Sequence, residues 1–110
     1  MKDITQPLDE VLNVLEPFKE HIHEIKDNPF DYFQIIFKFM NNYGLSIINT
    51  SISHGLEAGV IKFEDNNNWK LDYVNPVINE DTIGYLKKED LIDLINKVKS
   101  LNEKGELVNE

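Results

Sequence analysis

Through residues 5–27, apolar side chains recur at spacings of three and four residues, which is the period of an amphipathic helix. These positions are Leu8, Val11, Leu12, Leu15, Phe18, Ile22 and Ile25. Pro17 removes one hydrogen bond of such a helix and disfavours helical backbone at Glu16. The pattern therefore predicts an N-terminal helix that is kinked or broken in two at Pro17.

Residues 28–42 predict a second helix, with Asn28 as its cap and Pro29 in its first position. Nearly all of it is apolar, because it contains Phe30, Tyr32, Phe33, Ile35, Ile36, Phe37, Phe39 and Met40. A helix without a polar face is buried on most sides or exposes an apolar patch. We take it as the central core element. Its aromatic surplus also leads us to expect a modest homodimer or a partner groove that uses Phe30, Tyr32, Phe33 or Phe37.

From Leu45 onward the period of the apolar positions changes to two, which indicates β-strands. The predicted elements are strands at 45–53, 56–64 and 69–73, a short fourth strand at 83–86, and a helix at 88–102. Asp65 and the three asparagines after it are a strong turn signal, because these residues tolerate left-handed backbone. In the third strand, Trp69, Leu71 and Tyr73 should share one face and pack on the second helix.

Strands that follow one another on short turns form an antiparallel meander. We therefore predict an α+β fold: two N-terminal helices, the first kinked or broken at Pro17, a three- to four-stranded antiparallel meander, and a C-terminal helix packed on the sheet. A chain of 110 residues fits one domain. We assign residues 1–110 to a single α+β domain, with frayed ends at 1–4 and 105–110.

The chain contains no cysteine, which excludes a disulfide, a thiolate nucleophile and a cysteine-ligated zinc. No apolar run approaches the roughly 18 residues that cross a bilayer. Residues 1–10 are polar and acidic, unlike a signal peptide. We expect a cytoplasmic protein without a membrane partner.

The charge balance narrows the choice of partners. Twenty acidic side chains face eleven basic ones, a net charge of −9, and every basic residue is lysine. Phosphate recognition favours the planar fork of arginine, and anionic membranes and nucleic acids repel a negative chain. We therefore expect no direct nucleic-acid contact. The excess of acid either keeps the protein soluble or forms a surface that binds a basic partner or imitates nucleic acid.

Glu16, Glu20 and Glu24 form a patterned charged surface on the predicted first helix. A spacing of four residues stacks their carboxylates on one face, about 6 Å apart, close to the spacing of phosphates along a DNA strand. Like charges at this spacing are mildly destabilising, so a reason for them is worth seeking. The three glutamates are either a solvated helix face or a strip that contacts a partner or mimics nucleic acid.

Three histidines are the candidates for chemistry. His21 and His23 lie two residues apart on the predicted helix and face different directions, whereas a helical metal pair needs a spacing of four. We expect both to be solvated. His54 lies near several hydroxyl side chains, but no acid is placed to orient it, so we expect it to cap a turn. We expect no catalytic residue, no metal and no cofactor.

Residues 43–86 carry a further pattern. Its parts are Tyr43-Gly44-Leu45-Ser46-Ile47, the turn His54-Gly55, Leu71-Asp72-Tyr73 followed by Pro76, and Gly84-Tyr85-Leu86. This stretch, about 40% of the chain, resembles small uncharacterised proteins encoded by phages and prophages of Gram-positive bacteria. The family pattern has Tyr-Gly where this chain has His54-Gly55, and Tyr-Asp-Thr-Pro where it has Tyr73-Val74-Asn75-Pro76. The resemblance implies an accessory protein of a mobile element that binds a host or phage protein, and it implies no activity, ligand or active site.

Three hypotheses for function follow. The first is a small non-catalytic acidic binding protein, a phage or mobile-element accessory factor that acts by protein–protein contact. The second is an inhibitor that mimics nucleic acid and blocks a DNA- or RNA-binding protein such as a host defence nuclease. The third is an enzyme of unknown type. Under the first hypothesis, the residues expected to contact the partner are Glu16, Glu20, Glu24, Phe30, Tyr32, Phe33 and Phe37.

Overall fold

Helices cover one face of an antiparallel sheet in the computed structural model of the chain, which describes residues 8–27, 32–49, 55–72, 75–78, 82–102 and 106. In chain order the elements are α1 (Leu8–Val14), a 3₁₀ helix (Glu16–His21), β1 (Ile22–Asp27), β2 (Phe33–Lys38), β3 (Tyr43–Asn49), β4 (Leu56–Phe63), β5 (Trp69–Leu71), β6 (Ile83–Leu86) and α2 (Lys88–Lys99). The α+β class, the antiparallel sheet and the C-terminal helix are confirmed. Of the helices in these ranges, none has the length and apolar content that crossing a bilayer requires.

In the described residues the sheet has six strands rather than the predicted three to four. Five of them lie in chain order, β1-β2-β3-β4-β5, and each pairs antiparallel with the next. The sixth strand, β6, pairs with the first half of β4, whereas β5 pairs with the second half. The two strands beyond the prediction, β1 and β2, come from residues that were predicted to be helical.

Both faces of the sheet carry buried side chains. On one face, α1 and α2 pack over alternate residues of β2, β3 and β4. The buried members of this main core are Val11, Leu15, Phe33, Ile35, Phe37, Phe39, Tyr43, Leu45, Ile47, Leu56, Ala58, Val60, Ile78, Leu91, Leu94, Ile95, Val98 and Leu101. A second cluster holds Ile36, Ile61 and Phe63, with Trp69 and Leu71 packed against it. Because these residues alternate with those of the main core along the strands, they lie on the opposite face. We call the two sides the helix face and the Trp69 face.

The predicted first helix, residues 5–27, is only partly helical. α1 ends at Val14, and Pro17 lies in the first turn of the 3₁₀ helix, so the break expected at Pro17 is present. The helix prediction is wrong beyond His21, where the chain continues as β1.

A β-bulge explains why β1 has the apolar spacing of a helix. Ile22 pairs with Phe37 but Glu24 pairs with Ile36, so β1 has one residue more than β2 between these pairs. The extra residue shifts the alternation of side chains along the strand. Ile22 and Ile25 therefore lie on the same face although they are three residues apart, a spacing that is also typical of a helix.

The second helix, predicted at residues 28–42, is wrong in type at residues 33–38, which form β2. The predicted cap Asn28 and first-turn Pro29 lie outside the described residues. The continuous apolar run of β2 results from burial on both faces of the sheet. Ile35 is fully buried on the helix face, and its chain neighbour Ile36 is fully buried on the Trp69 face. A short apolar run fits a strand buried on both sides as well as a buried helix, and the aromatic and β-branched content of this run favours the strand.

The prediction for the later strands agrees better with the structure. β3, β4, β5 and β6 overlap the four predicted strands. β3 begins at Tyr43, two residues before the predicted start, and residues 50–53 of that predicted strand lie outside the described residues. Trp69 and Leu71 share a face as predicted, but they pack against the cluster of Ile36, Ile61 and Phe63 rather than against a helix. Tyr73 lies outside the described residues. Of the ends that were predicted to fray, only Glu106 is described.

The turn between β4 and β5 is the one that the sequence predicted. The Asp65 carboxylate accepts backbone N–H groups from Asn67 and Asn68, both at 2.9 Å, and the Asn68 side-chain amide at 2.8 Å. These bonds favour the charged carboxylate and lower the pKa of Asp65, the backbone bond from Asn67 being the largest cause.

Gly44 of β3 lies where the backbone of β2 leaves no room for a side chain. It pairs with Lys38, and a Cβ atom here would overlap the carbonyl oxygen of Phe37 and lie 3.1 Å from Cγ1 of Ile61. Backbone atoms cannot move aside without disturbing the pairing of the two strands. This close approach therefore requires glycine.

We expect Gly44→Ala to lower the free energy of unfolding by about 3 kcal/mol or more, because the added methyl group must push β2 away from β3. Ser46→Ala is the control on the same strand and the same face. It removes only the hydrogen bond that Ser46 Oγ accepts from Gln34 Nε2 (3.0 Å), and should cost about 1 kcal/mol. Urea unfolding measures both. Equal losses in the two variants would contradict the close approach.

Candidate binding site at the turn between the second and third strands

An exposed methionine stands at the tip of the turn between β2 and β3. The N–H of Phe39 donates to the carbonyl oxygen of Tyr43 (2.8 Å), and the N–H of Asn42 donates to that of Phe39 (3.1 Å). Asn42 has a φ of 69°, a conformation that asparagine tolerates. Met40 is 94% exposed. We call residues 39–42 the Met40 turn.

Asn41 fastens the Met40 turn to the end of α2. Its Nδ2 donates to the carbonyl oxygens of Val98 (2.9 Å) and Leu101 (2.7 Å), and its Oδ1 accepts the N–H of Tyr43 (2.9 Å). Carbonyl groups at a helix end need partners from outside the helix, and this amide supplies one. Phe63 of β4 also donates its backbone N–H to the carbonyl oxygen of Asn42, the last residue of the turn (2.8 Å). The turn is therefore fixed by β3, β4 and α2 together.

Two grooves flank the Met40 turn. Both are lined by Glu20, His21, Phe39 and Met40. The first groove, about 340 Å³, is completed by Ile22, His23 and Lys38. The second groove, about 610 Å³, is completed by Asn41, Lys99 and Asn102. The exposed methionine therefore stands between two concave surfaces.

Charged groups of both signs surround this apolar centre. The Glu20 side chain is 78% exposed, with its Oε2 atom 3.6 Å from Nε2 of His21. The His21 ring meets Phe39 edge-on, with ring centroids 5.3 Å apart. Nζ of Lys99 lies over the Phe18 ring, 5.5 Å from its centroid, so the lysine stem covers apolar surface while the ammonium group stays in water. An apolar centre with a charged rim is typical of a protein-contact surface.

The histidines differ in part from the prediction. They do face different directions, because His21 contacts Phe39 whereas His23 meets Phe63 edge-on, with centroids 5.2 Å apart. The expectation that both are solvated is wrong for His21, whose side chain is 19% exposed. In the part of the chain that the structure describes, no three histidine, aspartate or glutamate side chains are placed to share a metal ion. His54 lies outside that part.

The three glutamates of the predicted acidic strip do not share a helix face. Glu16 and Glu20 belong to the 3₁₀ helix, and Glu24 belongs to β1. Glu16 forms an ion pair with Lys19 (2.7 Å), and the hydrogen bond and charge of Glu16 raise the pKa of Lys19. The spacing that suggested mimicry of nucleic acid assumed a continuous α-helix, so that argument no longer holds. All three side chains are exposed, and their contact with a partner stays a prediction.

The four aromatic residues of the predicted contact surface also lie in different surroundings. Phe33 and Phe37 are buried in the main core, and Tyr32 is half-buried. Phe30 lies outside the described residues. The aromatic surplus of this segment is thus largely used inside the fold, which removes the reason to expect an exposed groove at Phe33 and Phe37.

The sequence pattern assigned no binding role to Met40 or Asn41, because both fell at the end of the predicted second helix. The pair Asn41-Asn42 is a turn signal that would have separated the two strands. It would not have revealed that Met40 is exposed or that Asn41 reaches α2, since both depend on the tertiary structure.

Comparisons with protein-family models, with curated proteins and with solved structures found no match to the chain. The candidate site is therefore defined by its own geometry. It consists of a fixed turn, an exposed methionine and the two grooves beside it.

We expect Asn41→Ala to remove three hydrogen bonds and to lower the free energy of unfolding by about 2 kcal/mol. Backbone hydrogen exchange should become faster in the Met40 turn and at the end of α2, and should stay unchanged in α1. Asn96→Ala, at an exposed position of α2, is the control and should change stability by less than about 0.5 kcal/mol. Equal stability of the two variants would show that Asn41 does not fasten the turn.

Proposed function

We propose that this chain is a non-catalytic binding protein that contacts a partner protein through the Met40 turn. The observation that carries the proposal is the 94% exposure of Met40 on a turn that three elements hold in place. A methionine side chain is unbranched and polarisable, so it fits apolar pockets of varied shape. Methionine is also enriched in protein interfaces relative to the rest of the surface.

The fixed backbone of the turn supports a role in binding. Asn41 and the backbone bonds of Phe39 and Asn42 determine where the methionine stands before any partner arrives. A preorganised contact loses less conformational entropy on association than a mobile loop does. When Met40 enters a pocket of the partner, the two grooves beside it can receive the partner side chains that surround that pocket.

The charge of the chain supports a partner with a basic surface. The net charge of −9 attracts such a partner over long range and raises the rate of encounter. Close to Met40 the charges are mixed, because each groove contains one lysine and both contain Glu20. Overall charge therefore steers the approach, whereas the apolar contact at Met40 holds the complex.

The biological setting of the proposal comes from the resemblance of residues 43–86 to phage- and prophage-encoded proteins. Accessory proteins of mobile elements often act by binding a host or phage protein, which is the same class of function. The partner would then be a protein with an apolar pocket inside a positively charged surface.

Photo-cross-linking from position 40 tests the proposal. With benzoylphenylalanine in place of Met40, light should join the chain to one partner in cells that naturally contain it. The same photoreactive residue at Glu89 is the control. Glu89 is exposed in the first turn of α2, roughly 15 Å along the helix from the end that Asn41 contacts. Capture of the same protein from both positions, or from Glu89 alone, would contradict a contact at the Met40 turn.

The captured partner then allows a binding measurement. Met40→Glu should weaken its affinity about tenfold or more, because a charge replaces the apolar anchor. The melting temperature should stay within a few degrees of the parent, since Met40 is exposed. Glu89→Gln should change neither quantity. Unchanged affinity of the Met40→Glu variant for the captured partner would overturn the proposal.

A further inference from the structure

The edge strand β1 exposes an apolar residue. In the described residues β1 pairs with β2 on one side, and it is the first strand in the order of the sheet. Five of its six residues are exposed. One of them, Ile25, is 41% exposed and is among four exposed large apolar side chains in the described ranges. An edge strand presents backbone N–H and C=O groups to any further strand that can align with it.

The sequence of β1 is complementary to itself in one antiparallel register. When two copies align about Ile25, each Glu24 faces Lys26 of the second copy, and the two Ile25 side chains face each other. Facing residues of an antiparallel pair lie on the same side of the sheet. Glu24 and Lys26 both lie on the Trp69 face, because they pair with Ile36 and Gln34 of β2. The two ion pairs therefore form on one face and the isoleucine pair on the other.

Neighbouring registers lack this complementarity. The next two-fold registers are centred on Glu24 and on Lys26, because a slip of one residue would turn the helix faces of the two copies to opposite sides of the sheet. The first places Glu24 opposite Glu24, and the second places Lys26 opposite Lys26. Charge therefore selects the register centred on Ile25, since like charges directly opposite are destabilising.

The β-bulge limits the length of the contact. The register shift lies between Ile22 and Glu24, so the regular part of β1 is Glu24–Asp27. Bulges on edge strands restrict pairing, and this one leaves four residues available. Such a contact is small, so the dimer should be weak and should form only at high protein concentration.

We propose that two copies of this chain associate through β1 in antiparallel register about Ile25, which joins their sheets edge to edge. The contact is isologous, as in most homodimers, because the same residues meet on both sides of a two-fold axis. It does not depend on the function proposed for the Met40 turn.

Charge reversal tests both the contact and its register. By sedimentation velocity across micromolar to millimolar protein, the parent should show concentration-dependent dimer formation. Glu24→Lys places lysine opposite lysine, and Lys26→Glu places glutamate opposite glutamate. Each should raise the dimer dissociation constant about tenfold or more. Both positions are exposed, so melting temperatures should change little.

Mixing the two single variants gives the sharper result. In a mixed pair, two lysines of one chain face two glutamates of the other, so the mixture should dimerise more tightly than either variant alone. The double variant Glu24→Lys/Lys26→Glu should dimerise by itself for the same reason. Glu89→Lys lies outside β1 and changes the net charge by the same amount as Glu24→Lys. It should dimerise like the parent.

Two outcomes would overturn the proposal. One is a parent chain that stays monomeric over the whole concentration range, which would leave the edge of β1 to a strand of a different protein. The other is a parent dimer that both single variants retain, which would place the dimer contact elsewhere on the surface.

Discussion

Burial of β2 on both faces is the constraint on which the rest of the structure depends. Ile35 and Ile36 are consecutive residues, point to opposite sides of the sheet, and are both fully buried. Helices on one side can cover only one of them. The other, Ile36, clusters with Ile61 and Phe63 of β4 on the opposite side of the sheet. Trp69 and Leu71 of the three-residue strand β5 pack against this cluster and so extend the apolar layer on the Trp69 face.

The same constraint explains how much of the fold the sequence predicted. The strands and turns from β3 to α2 have local signals, since period-two alternation and the residues of the Asp65 turn need no knowledge of the rest of the chain. The pattern at β1 was misleading because the spacing of Ile22 and Ile25 arises from a bulge, which exists only when β1 pairs with β2. The apolar run of β2 has no periodicity that separates a strand from a buried helix, and only its residue types favour the strand before its neighbours are known. The candidate site was less predictable still, because Asn41 reaches carbonyl groups 57 and 60 residues further along the chain.

Some surface lysines pack on aromatic rings, whereas the excess of acidic side chains determines the sign of the electrostatic field around the molecule. Among the described residues, three lysines place their ammonium groups over aromatic rings: Lys38 over Phe63, Lys62 over Tyr43 and Lys99 over Phe18. Such contacts stabilise an exposed lysine by about 0.5–1 kcal/mol and keep its stem against the protein. With twenty acids and eleven lysines, the field around the molecule stays negative. A basic partner of the proposed kind would therefore meet an attractive field at long range, and apolar or stacked groups at short range.

The two proposed contacts divide β1 at its bulge. Ile22 and His23 line the first groove beside Met40, whereas Glu24–Asp27 form the regular edge. His23, the extra residue of the bulge, contacts Phe63 on the Trp69 face. The regular alternation of side chains in β1 therefore starts at Glu24, beyond the residues that line the groove. A two-fold axis beside Ile25 would then place the two Met40 turns near opposite ends of the paired strands, roughly 30 Å apart along the strand direction, because Met40 lies five residues beyond Ile35, the partner of Ile25. Neither turn would be covered by the second copy. In such a dimer a partner with two binding surfaces would be held at both, and its second contact would form at a raised effective concentration. Association of the chain with itself would thus increase its avidity for a repeated or dimeric partner while the contact at each Met40 turn stayed the same.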